Sequence, residues 1–368
     1  MEDIRTSQSL ELQTIVTGMH LSPEFGLTYS EIESDGIIID RRVEMLMSSD
    51  TSVGVSKSIG LGVIGFADAL QQLSPDLMLI VGDRFETFAA AIAGSIARIP
   101  IGHIHGGELT EGNFDDMIRH AMTKMSHLHF TATADYRNRV IQLGEQPNRV
   151  FHVGGCGVDN IHRVALLSKA ELESSLEFNL TSSTLLVTFH PVTLEERTAG
   201  SQFQCLLDVL VKYKNINIIF TKTNADSDGR VINKMIDEYV AQKPKTTKSF
   251  TSMGQVVYLS LLQYVRGVVG NSSSGILEAP SFKIGTVNIG DRQRGRIKAP
   301  SVIDCEPTRE GIQLAVEKLL SDEFLSFVKS VNNPYEKKGT IRNIVSILEG
   351  VSLDDIQKKV FFDLDLSH

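Results

Sequence analysis

Residues 268–280 read VVGNSSSGILEAP. Two β-branched residues and a glycine mark the end of a buried strand, a serine run follows, and an apolar helix opens at Gly275 or Ile276. Strand, turn and helix in that order form the repeating unit of a doubly wound α/β sheet. The turn also suits a phosphate. N–H groups at a helix start lack intrahelical acceptors, the helix dipole favours an anion, and Ser272, Ser273 and Ser274 add hydroxyl donors. Glu278, about one turn into the helix, is placed to reach ribose hydroxyls. The plainer reading of the same residues is an ordinary serine N-cap.

Working outward, strand and helix patterns alternate along nearly the whole chain. Strands are expected at Leu10–Thr17, Asp76–Gly82, Ile99–His105, His127–Thr131 and Arg149–Val153, with helices at Ser52–Leu73, Phe85–Arg98, Asp115–Met125 and Ala134–Leu143. After a surface helix at Ser168–Phe178, a second set begins. Its strands are Leu185–Phe189, Ile216–Thr221, Gly267–Gly270 and Gly285–Ile289, and its helices Glu195–Tyr213, Ser227–Gln242, Gly254–Val265 and Thr308–Leu320. The pattern predicts two Rossmann-like α/β domains, residues 1–165 and 166–340, facing across a cleft, with a mostly helical tail (341–368) returning to the first.

With 368 residues the chain has room for two domains, and 42% hydrophobic residues supply their cores. The net charge of −9 and the lack of a basic stretch interleaved with aromatics argue against nucleic-acid binding. Cys156, Cys205 and Cys305 are widely spaced, with neither disulfide nor zinc-ligand spacing. No apolar run is read as spanning a membrane, and the polar opening is not a signal peptide, so a cytoplasmic location is expected.

Polar motifs cluster where strands end. In IVGDRFE, Asp83 is a candidate base or hydroxyl-positioning group and Arg84 a phosphate ligand; an Arg84–Glu86 ion pair or a capping Asp is the alternative. GHIHGGELTEGNFDDMIRH brings Glu108, Asp115, Asp116, Arg119 and His120 after a Gly106-Gly107 pair that permits close backbone approach. Two carboxylates facing one ligand can separate into acid and base roles; helix capping and an Asp115–Arg119 pair are the bland reading. His103 and His105 alternate along a strand, so one of them is expected to face the ligand. TFHPVT sets His190 at a strand end, placed to donate to a leaving phosphate. NIGDRQRGR offers Arg292, Arg294 and Arg296, one of which is expected to fork onto phosphate. No GxGxxG follows the first strand and no GxxxxGK[ST] is present, which disfavours a dinucleotide dehydrogenase or a P-loop kinase.

Together, GDRFE, HIHGGE…FDDMIRHAMTKMSHLHF, FHPVT, VVGNSSSGILEAP and NIGDRQRGR resemble the hydrolysing UDP-N-acetylglucosamine 2-epimerases of bacterial sialic-acid (capsule) biosynthesis, from VTGMH at Val16–His20 to the NPY at Asn333. The resemblance implies a glycosyltransferase-B-type fold. It implies conversion of UDP-N-acetylglucosamine and water to N-acetylmannosamine and UDP, by anti elimination to 2-acetamidoglucal and hydration, with no metal or other cofactor. It places Ser272, Ser273, Glu278 and Arg292 on UDP, His190 at the leaving phosphate, Asp83, Glu108 and Asp115 around the sugar, and His20, Arg84 and His105 beside the same pocket. A homodimer or dimer of dimers is implied as well. Competing expectations are the same reaction on a UDP-2,4-diacetamido-2,4,6-trideoxy-glucose for legionaminic-type acids, a non-hydrolysing epimerase, a glycosyltransferase, and a non-catalytic nucleotide-sugar binder.

Two departures stand out. Many relatives carry Glu where this chain has His105, so the acid/base role is assigned to Glu108. Relatives also open with a strand and a GTRADYG-like turn, whereas this chain begins with what reads as the remainder of a helix, Met1–Ser7. The expectation is a first sheet short of one central strand, with reduced stability and nucleotide affinity.

Overall fold

A computed structural model describes residues 1–49, 51–111, 113–192, 198–223 and 229–365. The chain divides into two compact units: Met1–Glu108, Phe114–Asp159 and Lys337–His368 form the first, and Leu109–Asn113 and Asn160–Glu336 the second.

The first unit carries six strands: β1 (Ile15–Thr17), β2 (Arg41–Val43), β3 (Met78–Val81), β4 (Ile101–Ile104), β5 (Leu128–Thr131) and β6 (Val150–His152). All pairings are parallel, but the strands fall into two ladders, β1-β2 and β3-β4-β5-β6. The expected Leu10–Thr17 strand shrinks to β1, because its polar opening has no ladder to join. Helices Ser52–Leu73 and Phe85–Ile96 pack together over this unit, burying Phe66, Ala69 and Leu70 with Val43, Met45, Phe85 and Ala89. Thr51 starts the long helix by accepting from the Gly54 N–H at 3.1 Å.

That helix corrects one expectation. Over its 22 residues it is long and apolar enough to cross a membrane by composition. Its glycines and alanines interrupt the strongly apolar side chains, which hides the run from inspection, and one face lies in the core. The tail also departs from expectation. Among its described residues only Thr340–Gly350 are helical, and residues 351–365 run as turns and irregular chain along Gly144 and Gln146.

The second unit is a single six-stranded parallel sheet. Its strands are β7 (Leu185–Thr188), β8 (Ile218–Thr221), β9 (Thr247–Phe250), β10 (Gly267–Gly270), β11 (Gly285–Ile289) and β12 (Val302–Cys305), in the order β12-β11-β10-β7-β8-β9. This is the doubly wound order, with its switch point between β7 and β10. β7, β10 and β11 are buried throughout, as continuous apolar runs in a parallel sheet should be. Phe189, Phe203 and Phe220 pack together in the core, tilted and edge-to-face, and Phe203→Ala would cost about 3–5 kcal/mol. The edge strands β9 and β12 are only partly buried, and their sequences TKSF and VIDC carry no strand pattern. Helices Ala199–Leu210 and Gly229–Gln242 occupy the ranges expected from Glu195 and Ser227; those opening residues lie outside the described residues.

Candidate active site

In the second unit, polar groups gather at the switch point, where open α/β sheets bind ligands. β10 runs beside β7 with Gly270 opposite Thr188. A side chain at Gly270 would meet the Thr188 carbonyl oxygen at 1.8 Å, and its φ of 137° is itself outside the usual range for other residues. This close approach lets Asn271 reach across. Its Oδ1 accepts from the His190 N–H at 2.7 Å and its Nδ2 donates to the His190 carbonyl at 2.8 Å. One buried amide therefore clamps the backbone of His190. Gln293 donates to the Asn271 carbonyl at 2.8 Å, tying in the loop that carries Arg292.

The serine turn differs from its expected form. The helix opens at Ser274 and ends at Leu277, and Glu278 is its C-terminal cap rather than a residue of its second turn. Pro280 follows in a 3-10 turn, because it cannot continue the α-helical ladder. A helix of four residues has little macrodipole, so anion attraction here rests on the N–H and hydroxyl groups of residues 272–274. The segment is braced from below. Half-buried Tyr258 donates to Ser274 Oγ at 2.7 Å, Thr286 donates to the Gly275 carbonyl at 2.7 Å, and Asn333 donates to the Leu277 carbonyl at 2.6 Å. Burial, the largest influence, raises the Tyr258 phenol well above its ordinary pKa, so it remains a donor. Of the arginines after β11, Arg294 is exposed and pairs with Glu111 at 3.3 Å, while Arg292 and Arg296 are half-buried.

In the first unit the strand ends again carry the polar groups. After β3, Gly82 (φ 77°) turns the chain so that Asp83 precedes helix Phe85–Ile96. The Asp83 carboxylate pairs with Arg119, whose side chain is 1% exposed. Arg119 also donates to the Glu108 carbonyl at 2.9 Å and stands 3.6 Å from Asp116. Arg119 thus fastens the turn after β3 to the turn after β4. Asp115, buried, is the first residue of helix Asp115–Met125, and Asp116 beside it also stands 3.5 Å from His120. Arg84 lies 3.4 Å from the buried Glu86.

The two histidines are not sorted by strand alternation. His103, on β4, is fully buried and donates from Nε2 to the Gly82 carbonyl at 2.8 Å. Burial lowers its pKa to about 3, so it stays neutral and braces the Asp83 turn. His105 lies beyond β4 with φ 68°, and that left-handed turn sets its direction. Its Nδ1 is 2.7 Å from Glu108 Oε1, and its ring also hydrogen-bonds the Cys156 thiol. Burial alone would push His105 down, but the Glu108 charge and the bonds to Cys156 and Glu108 outweigh it and raise the group to about 10. His20 is exposed in a 3-10 turn after β1, with Nδ1 2.8 Å from Thr28 Oγ1. Among the described residues, no group of three or more His, Cys, Asp or Glu side chains is arranged to hold a metal ion.

Asn271, Gln293, Tyr258 and Asn333 carry the bracing, and sequence reasoning gave them no role. The one available signal was Asn271 directly after a buried strand. Two strand-end clusters at Rossmann-like sheets, one rich in phosphate-type donors and one in acid/base groups, fit an enzyme acting on a nucleoside-diphosphate derivative.

Comparison with known proteins supplies the family. The sequence model of a family described as UDP-N-acetylglucosamine 2-epimerase matches residues 2–349. The chain belongs to that family. Membership makes this epimerase a UDP-sugar enzyme, and its relatives point to the hydrolysing kind. It is 41% identical over 98% of its length to the GDP/UDP-N,N'-diacetylbacillosamine 2-epimerase (hydrolyzing) of Campylobacter jejuni, covering 94% of that protein. It is 36% identical over 98% of its length to polysialic acid biosynthesis protein P7 of Escherichia coli, covering 92% of it. Membership therefore holds for the family and does not single out the sialic-acid branch. The Neisseria meningitidis UDP-GlcNAc 2-epimerase structure bound to UDP-GlcNAc has a TM-score of 0.78 at 17% identity, with 94% of each chain covered. The epimerase has that two-domain α/β fold of the glycosyltransferase-B type.

Proposed function

We propose that this epimerase hydrolyses and inverts a UDP-2-acetamido sugar, and that its substrate is UDP-2,4-diacetamido-2,4,6-trideoxy-glucose. The Campylobacter relative, the more similar of the two curated ones described, carries the substrate choice. The acid/base geometry of the first unit supports the chemistry.

In the first step a base takes the proton from sugar C2, its electron pair forms the C1–C2 double bond, and the C1–O bond breaks with UDP taking that bonding pair. In the second step water adds its oxygen to C1, and C2 is protonated on the opposite face. Glu108, a carboxylate held against an imidazolium, is assigned the base role, and His105 is the acid poised beside it. Asp83 and Asp115 orient the sugar and the water, with Asp83 fixed by Arg119. Ser272, Ser273 and Arg292 are assigned to the diphosphate and Glu278 to the ribose. His190, clamped by Asn271, is assigned to the leaving phosphate. His20 and Arg84 are assigned to substrate binding near the same groups. The reading calls for no cofactor.

A second substrate, UDP-N-acetylglucosamine giving N-acetylmannosamine, is favoured by the likeness to the polysialic acid protein. Purified enzyme given each sugar nucleotide separately in D₂O decides between them. The first reading expects free UDP, a 2-epimer deuterated at C2, and kcat/KM at least about tenfold higher for the diacetamido sugar. The reverse preference establishes the second reading, and an epimer still attached to UDP overturns both.

A further inference from the structure

Of the three cysteines, Cys205 and Cys305 pack against the core of the second unit, whereas Cys156 touches the acid/base pair of the first. Strand β5 lies between β4 and β6 and frames that contact. On one side the Phe130 carbonyl accepts from the His105 N–H at 2.9 Å. On the other the Thr131 carbonyl accepts from the N–H groups of Val153 and Gly154 at 2.9 and 3.3 Å. Gly154 then turns the chain at φ 102°, close against Thr340, where a side chain would not fit. Half-buried Cys156 follows. It opens helix Cys156–Ile161 and packs against the cluster that contains Ile104, Phe130 and Val153. Farther along this helix, the Asp159 carboxylate accepts from the N–H groups of Gly339, Thr340 and Ile341 at 3.0, 3.1 and 3.1 Å. The thiol thus sits on a segment fastened on both sides of it.

An imidazole has two ring nitrogens. Glu108 takes Nδ1 of His105 at 2.7 Å, so the bond to Cys156 falls to Nε2. In the imidazolium both nitrogens donate, and the sulfur is then the acceptor. One bond, to Glu108, leaves the ring free to swing; the second fixes its direction. The other charged groups nearby are committed elsewhere. Arg119 is held by Asp83 and the Glu108 carbonyl, Arg139 donates to the Gly107 carbonyl at 2.6 Å, and His103 is neutral. We propose that Cys156 is a positioning residue, whose sulfur takes the Nε2–H of His105 and holds the acid of the reaction in its working direction. The proposal rests on the acid role given to His105 above. Sulfur suits the task because it is a weak acceptor: it aims the N–H without withholding the proton from the sugar. A carboxylate in its place would hold that proton far more tightly.

A double-mutant cycle on the full chain, assayed with the UDP-sugar it turns over, tests this. Cys156→Ala should lower kcat at least about tenfold while KM stays within about twofold. Cys156→Ser, which keeps an acceptor at that place, should recover most of the loss. In a His105→Gln background, Cys156→Ala should add less than about twofold, because the thiol acts through the ring. The alkaline limb of kcat should move to lower pH in Cys156→Ala, and the NMR titration of the His105 ring should move with it, since a bond and a charge that raise this group are gone. Undiminished kcat in His105→Gln would overturn the acid role and this proposal together. An inactive His105→Gln beside a Cys156→Ala that matches the wild type in kcat and alkaline limb would overturn this proposal alone. So would a Cys156→Ala loss of equal size with and without His105, which would mark the thiol as a packing residue only.

Discussion

His105 Nδ1 lies 2.7 Å from Glu108 Oε1, on a turn where His105 itself adopts φ 68°. A non-glycine residue held there costs of order 1 kcal/mol, offset by the charged contact that the turn makes possible. The pair places a carboxylate and an imidazolium three residues apart at the end of β4, so a proton acceptor and a proton donor share one hydrogen bond.

Removing the carboxylate should therefore disturb two observables together. Glu108→Gln is expected to lower kcat by about 10²–10⁴-fold while UDP affinity changes little. It also removes the Glu108 charge from His105 and leaves burial opposed by the Cys156 bond, so the imidazole pKa should fall from about 10. Steady-state kinetics reads the first and NMR titration of the His105 ring the second. A lowered kcat with an unchanged His105 titration would separate the catalytic role from the ion pair.

The same pair makes stability depend on pH. His105 is raised on folding, so the protonated state is favoured in the folded chain. Its contribution is fully present below the ordinary 6.5 and is lost as pH rises towards about 10. Thermal melts from pH 6 to 10.5 should show a decline in the wild type that is smaller in His105→Gln. Equal slopes for the two proteins would place the decline elsewhere.

In the second unit the strongest effect is expected at a residue that touches no assigned ligand atom. Asn271→Ala removes both bonds to the His190 backbone and should cost about 2–3 kcal/mol, because a buried N–H and carbonyl lose their partners. UDP affinity, measured by calorimetry, should fall with it, whereas Ser273→Ala should weaken UDP with little change in melting point. Asn271→Asp keeps one acceptor and should recover part of the stability.

Much of this architecture was legible because central parallel strands are apolar throughout. LLVT at β7 and GVVG at β10 announce themselves, and the helices Ser52–Leu73, opened by its Thr51 cap, and Asp115–Met125 follow from their period. RRV at β2 and TKSF at β9 do not, because an edge strand is held by backbone ladders and its side chains are free to be polar. The strand-end polar residues were visible as types. Their connections were not, since the Arg119–Asp83 pair spans 36 positions and the Asn271–His190 clamp 81. Alternation could not separate His103 from His105, because residues two apart on a strand share a face; what separates them is that His105 lies beyond β4 on a turn with φ 68°.

The last prediction concerns the tail. Glu145, 3% exposed, is held by two lysines and a buried histidine at once: Lys124 at 2.6 Å, His129 at 2.9 Å and Lys359 at 2.8 Å. Burial pushes this carboxyl upward, but the bonds from His129, Lys124 and Lys359 prevail and lower it to about 2. A depressed carboxylate contributes stability above its ordinary 4.5, and that contribution is lost as pH falls towards 2. Lys359 also donates to the Lys124 carbonyl at 2.8 Å, and Phe361 packs beside it against Gly144. Glu145→Gln should thus cost about 3 kcal/mol and release the tail, because two lysines lose their anion. Lys359→Met should cost less, since Lys124 and His129 still hold the carboxylate. Hydrogen exchange across residues 356–362 together with acid melts would distinguish them. Both variants should expose the tail, and only Glu145→Gln should flatten the acid limb. An acid limb unchanged in Glu145→Gln would remove this carboxylate as its source.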